Sequence, residues 1–70
     1  MNWKDYCDDD GNVEIATALD GAAVVNLYSP GAYGYLRVSY KQTMEFDHYA
    51  TVAECKAAIE DVARKLGVVA

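Results

Sequence analysis

Thr51-Val52-Ala53-Glu54-Cys55-Lys56-Ala57-Ala58-Ile59-Glu60-Asp61-Val62-Ala63-Arg64-Lys65-Leu66-Gly67 decides the fold, because this stretch states its own structure at both ends. Thr51 is a helix N-cap residue, and Glu54, three positions on, is placed to bond back to it, so T-V-A-E reads as a capping box. Val52, Cys55, Ile59, Val62 and Leu66 recur at steps of three and four and form one apolar stripe. Gly67 stands where a left-handed residue ends a helix. On the far side, Glu60 precedes Arg64 and Asp61 precedes Lys65 in the acid-first order that favours pairing along a helix. The spacing therefore predicts a helix over 52–66 with one apolar face, and that face needs a sheet.

The sheet is read upstream. Trp3 to Cys7 alternates and predicts a first, edge strand over 3–7. Asp8-Asp9-Asp10-Gly11-Asn12 is a cluster of turn formers. It is not a calcium loop: with Gly11 in the sixth position of an EF-hand, Tyr6 stands first and Thr17 last, and neither fits. Val13 to Leu19 alternates as a second strand. Asp20-Gly21 then reads as a two-residue type I′ turn into Ala22 to Ser29. That turn sets Ile15 opposite Asn26. Ser29 to Gly34 reads as a loop that gathers Tyr28, Tyr33 and Tyr35. Strands over 34–40 and 44–49 follow, joined by a polar turn at Lys41-Gln42-Thr43. The expectation is one α+β domain spanning 1–70, a four- or five-stranded antiparallel meander with one C-terminal α-helix packed on one face. Val13, Ile15, Leu19, Val24 and Tyr28 share one face of the second and third strands, and the alanines share the other with Val25 and Leu27. The bulkier set is favoured for the helix.

Seventy residues bury little surface, so the stability margin is thin. Two cysteines and one histidine are too few for a disulfide framework or a four-ligand zinc site. Cys7 and Cys55 read as small buried hydrophobes in a reducing compartment, with a single bridge between them as the alternative. The opening Met1-Asn2-Trp3-Lys4-Asp5 turns polar where a secretory leader is apolar, and no apolar run approaches a membrane span. A cytoplasmic protein without membrane contact is expected. Eleven acidic residues against six basic give a net charge of −5, which argues against direct binding to nucleic-acid phosphate. It permits docking on a basic protein surface.

Catalytic signals are weak. His48 stands on the Met44 and Phe46 side of its strand, which predicts a partly buried structural histidine rather than a general base. Cys55 lies on the helix stripe as a core residue. Cys7 precedes three aspartates, whereas an activated thiol wants a positive neighbourhood. With no phosphate loop, nucleophile elbow or zinc pattern, neither enzyme activity nor a cofactor is expected. Two features point to recognition. The first is tyrosine, six in seventy residues, which supplies contact area at little entropy cost. The second is carboxylate placement, with Asp8, Asp9 and Asp10 at one hairpin end and Glu45 and Asp47 alternating outward on the last strand. Charges on an edge strand also block aggregation, which is the plainer reason for them. The candidate partner-binding residues are Asp8, Asp9, Asp10, Tyr33, Tyr35, Glu45 and Asp47.

The closing run H-Y-A-T-V-A-E-C-K-A-A-I-E-D-V-A over 48–63, with G-Y-L-R-V-S-Y at 34–40, resembles the ends of small acidic phage and prophage proteins in which a β-meander leads into a helix. Anti-CRISPR inhibitors are among them, and some of those look like nucleic-acid mimics. The resemblance carries no diagnostic inhibitor motif and assigns no residue a role. It implies an inhibitor of the host cytoplasm that occludes a nucleic-acid-binding surface, its partner a host protein or ribonucleoprotein complex with a basic surface. The alternative is a homodimer or accessory subunit that buries the Ala16, Ala18, Val25 and Leu27 face.

Overall fold

The computed structural model of the chain describes residues 1–27 and 31–67, with Tyr28 by its backbone. Five strands, β1 (Lys4–Cys7), β2 (Val13–Ala18), β3 (Ala23–Tyr28), β4 (Gly31–Ser39) and β5 (Gln42–Tyr49), precede one helix, α1 (Val52–Lys65). The strands form one antiparallel sheet in sequence order, and α1 crosses one face of it over β3, β4 and β5. This is the meander with one C-terminal helix that the pattern predicts, with five strands.

Each turn is built by its own residues. At the first, Asp8 Oδ1 accepts from the backbone N–H groups of Asp10 and Asn12, both at 2.9 Å, and Gly11 takes φ of 85°. At the second, Asp20 (φ 54°, ψ 36°) and Gly21 (φ 92°) take the left-handed angles expected of them, and Ala22 N–H donates to Leu19 O at 3.1 Å. But Leu19 also takes φ of 54° and Ala22 is helical, so β2 stops at Ala18, β3 starts at Ala23, and Leu19 to Ala22 form a longer connection than the two-residue turn expected. Ile15 still pairs with Asn26, the register that Asp20-Gly21 predicts.

The helix ends also follow their sequence. Glu54 N–H donates to Thr51 Oγ1 at 3.1 Å, while Glu54 Oε2 accepts from Ala50 N–H at 3.2 Å, one residue further back than an ideal capping box. Gly67 (φ 72°) closes the helix, its N–H donating to Arg64 O at 3.1 Å. Asp61 and Lys65 pair at 2.9 Å as expected. Glu60 turns instead to Trp3, whose Nε1 donates to Glu60 Oε1 at 2.8 Å.

The expected helix-bearing face is reversed. Ala16, Ala18, Ala23, Val25, Ala32, Leu36 and Phe46 are buried on the face that carries α1, whereas Ile15 on the opposite face is 40% exposed. Closeness decides this, not bulk. Buried Gly34 lies under Ile59, and a methyl group placed on it would stand 3.2 Å from Ile59 Cδ1 while colliding with Val24 O. A helix carrying Cys55, Ile59 and Ala63 at four-residue steps settles into the shallow alanine and glycine surface. The larger residues of the other face would hold it off. Of the four residues named for a dimer surface, Ala16, Ala18 and Val25 are buried within the chain and Leu27 is 44% exposed.

Four smaller corrections follow from the geometry. β4 begins at Gly31, so Gly31 to Gly34 are strand rather than loop, and the expected turn at Ser29 and Pro30 lies outside the described residues. β5 begins at Gln42, which leaves Tyr40 and Lys41 as the connection. Leu66 caps the helix at 54% exposure, and Ala63 takes its place in the buried row. Cys7 is exposed and unbridged, while Cys55 is the buried one.

Candidate functional site on the open sheet face

Strand alternation sends every second residue of β4 and β5 away from the helix. Gly34 pairs with Phe46, and both are buried on the helix side; Tyr35 pairs with Glu45 on the other. Between Gly34 and Ala32 the register slips by one, so that Asp47 and His48 together stand opposite Tyr33. This is a β-bulge, and His48 occupies it with φ of 67°. The bulge overturns the expected burial of His48: its side chain is 88% exposed, and its backbone N–H is taken by Asp47 Oδ1 at 2.8 Å. The imidazole Nε2 stands 3.8 Å from Asp47 Oδ2, too loose and too exposed to act as an oriented base.

Tyr33, Tyr35, Glu45 and Asp47 meet at one groove of about 200 Å³, completed by Gly34 and Phe46. The Gly34–Phe46 pair forms its floor, and the residues flanking that pair on each strand form its walls. Tyr33 and Tyr35 are 43% and 37% exposed. The same face continues across the sheet through Val24, Asn26, Thr17 and Ile15 to Tyr6 and Lys4, as the strand registers dictate. A larger hollow of about 460 Å³ lies between the N-terminal residues and the second turn, lined by Met1, Asn2, Lys4 and Leu19 among others. It gathers no convergent chemistry beyond Lys4 and Asp20.

Of the carboxylates singled out in the sequence, Glu45 and Asp47 join the tyrosines, and Asp8, Asp9 and Asp10 do not. The aspartate turn joins β1 to β2 at one edge of the sheet, and β5 forms the other. Strands spaced about 4.8 Å apart put the two groups roughly 15–20 Å from each other. Asp8 is further committed to holding its own turn. Tyr28 pairs with Gly31 through its backbone, and Tyr40 lies in the last hairpin turn. The bulge that sets Tyr33 against Asp47 and His48 is not read from the sequence, because it depends on the pairing of two strands, and a histidine, although more tolerant of positive φ than most residues, does not mark one by itself.

The helix contributes a second cluster. Lys56 Nζ bonds Asp5 Oδ1 at 2.7 Å and stands 5.6 Å from the centre of the Trp3 ring, and Trp3 in turn donates to Glu60. Trp3, Asp5, Lys56 and Glu60 satisfy one another and fasten the N-terminal strand to α1. Burial pushes the Cys55 thiol above its ordinary value, and the Asp47 carboxylate acts in the same direction, so Cys55 is a neutral core thiol. Among the described residues no three His, Cys, Asp or Glu side chains gather to hold a metal, and no helix is long and apolar enough to cross a membrane.

Compared with known proteins, the chain matches no protein family, no curated protein and no solved structure.

Proposed function

We propose that this chain is a protein-binding inhibitor of the small phage type, anti-CRISPR-like in action. Its open sheet face docks on a basic, nucleic-acid-binding surface of a host defence complex and blocks that surface by occupying it. The observation that carries this reading is the convergence of two tyrosines and two carboxylates on one groove of the face the helix leaves open. Tyrosines supply anchoring area, and carboxylates steer the approach to a positive surface. The net charge of −5 adds to that steering.

The test is capture of partners from host bacterial lysate at low and high salt, with DNA or RNA as competitor. A nucleic-acid-binding complex that is retained at low salt, released at high salt and displaced by the competitor supports the proposal. Tyr33→Ala is expected to weaken that capture more than any single carboxylate change. A captured complex indifferent to competitor and to Tyr33→Ala overturns it, as does recovery of this chain alone in two or more copies.

A further inference from the structure

We infer that the groove between Tyr33 and Tyr35 receives an arginine side chain of the partner, its guanidinium stacked between the two rings and bonded to Glu45. The inference rests on the docking reading above and names the group recognised. Three observations lead to it.

The first is size and shape. At about 200 Å³ the groove is smaller than the roughly 300–1,000 Å³ of small-molecule sites, and its scale is that of one side chain. Tyr33 and Tyr35 are two residues apart on one strand, which spaces them roughly 7 Å along it. A flat group in contact with a ring on each side needs about twice 3.5 Å. A planar guanidinium meets that requirement, and a tetrahedral, strongly hydrated ammonium does not.

The second is charge. Glu45 is the direct cross-strand partner of Tyr35, which puts their Cβ atoms roughly 5 Å apart and a carboxylate beside the ring. Asp47 lies on the same wall, beside the His48 imidazole. Arg37, two residues beyond Tyr35 and opposite Thr43, is the positive group flanking the groove on β4. A guanidinium satisfies stacking and carboxylate bonding at once.

The third is what the protein does with three of its other rings. Lys4 stands over Tyr6, Lys41 over Tyr40 and Lys56 over Trp3, at 5.5, 6.0 and 5.6 Å from the ring centres. Among the described residues no lysine or arginine of the chain stands over Tyr35, and none pairs with Glu45. Tyr35 and Glu45 thus offer an aromatic and an anionic partner that no lysine or arginine among the described residues takes up.

The experiment is a titration of the full-length chain with hexa-arginine, followed by amide chemical shifts, with hexa-lysine and hexa-citrulline as comparison peptides. Citrulline keeps the planar head and removes the charge. Shifts concentrated at Tyr33 to Tyr35 and Glu45 to Asp47, larger with arginine than with lysine and absent with citrulline, support the site. Glu45→Gln and Tyr35→Leu should each weaken hexa-arginine about threefold to fivefold, the range of an exposed cation–π contact. Tyr35→Phe should restore binding, and Glu14→Gln, the same charge change on a remote strand, should leave it within twofold. Shifts spread equally over Asp8 to Asp10 and the helix carboxylates overturn the site, as do equal losses for Glu45→Gln and Glu14→Gln. A groove that takes arginine in a chain that captures no nucleic-acid-binding complex sinks the inhibitor reading and leaves the site standing. A complex captured equally well by the Glu45→Gln and Tyr35→Leu chains does the reverse.

Discussion

Trp3 and Glu60 lie 57 residues apart in sequence, and the indole Nε1 of one donates to the carboxylate of the other at 2.8 Å. This bond ties the residue just before β1 to the third turn of the helix. β1 has only four residues and a single neighbour in the sheet, β2, so its ladder alone holds it weakly. With Lys56 and Asp5 at 2.7 Å, the bond clamps that edge from the helix side.

Trp3→Phe keeps most of the ring and removes the donor. A part-buried carboxylate then loses a partner, a change of about 1–3 kcal/mol. Urea unfolding should show this loss, and hydrogen exchange should speed up first at Tyr6 and Cys7. Unchanged exchange there would mean that the strand is held by its ladder alone.

Gly34→Ala tests the closeness of helix and sheet. The added methyl meets backbone at Val24 and Val25 and the end of Ile59, and backbone cannot swing aside as a side chain can. A loss of about 1–3 kcal/mol or more is expected, a large part of the roughly 4–10 kcal/mol that a chain of this length holds. The thermal midpoint reports it. Gly11→Ala meets no atom within 4 Å, and its cost is confined to the positive φ.

Thr51→Ala removes the oxygen that accepts Glu54 N–H, at a cost of about 1 kcal/mol. Glu54→Ala removes a different bond, the one to Ala50 N–H. Because Glu54 belongs to both bonds, the double variant should cost less or more than the sum of the singles, and a thermodynamic cycle from urea unfolding measures that coupling.

Cys55 gives the pH prediction. Its folded-state pKa lies above the ordinary thiol value of 9.0, with burial the main cause. Above that value the unfolded chain sheds the thiol proton while the folded chain keeps it. Stability from this group is therefore whole below pH 9 and falls as pH rises beyond it. Cys55→Ala should flatten the alkaline limb of a stability profile while costing packing at every pH. In the native protein a thiol reagent should modify Cys7 fast and Cys55 only at the rate of opening.

Where local chemistry fixes the outcome, the sequence was legible. Asp20-Gly21 set a register because few residue pairs accept two positive φ angles, and Thr51 and Gly67 bounded the helix because an N-cap and a left-handed stop each need particular residues. The choice of sheet face was not legible from hydrophobicity, since Ile15 and Val24 outweigh Ala16 and Ala23 on any such scale. It was decided by how near two backbones can come, and the alternation of Gly34 with Tyr33 and Tyr35 carried that signal unread. The site was half legible. Tyr35 and Glu45 follow from strand alternation, but the slip that brings Asp47 and His48 opposite Tyr33 belongs to the pairing of two strands. Of the three aspartates beside Gly11, Asp8 builds the turn they sit in, a structural role that the turn-former pattern already carried.

The interleaving of Tyr33, Gly34, Tyr35 and of Glu45, Phe46, Asp47 makes these two strands behave like a reading frame. Point changes at the outward positions can alter the surface while the inward ones go on holding the helix. A single inserted or deleted residue would exchange the two sets, presenting glycine and phenylalanine outward and driving charge into the core. Such a chain can diversify by substitution more readily than by change of length, except at its two bulges, Asp47–His48 on β5 and Val38 on β4, where a surplus residue is already absorbed.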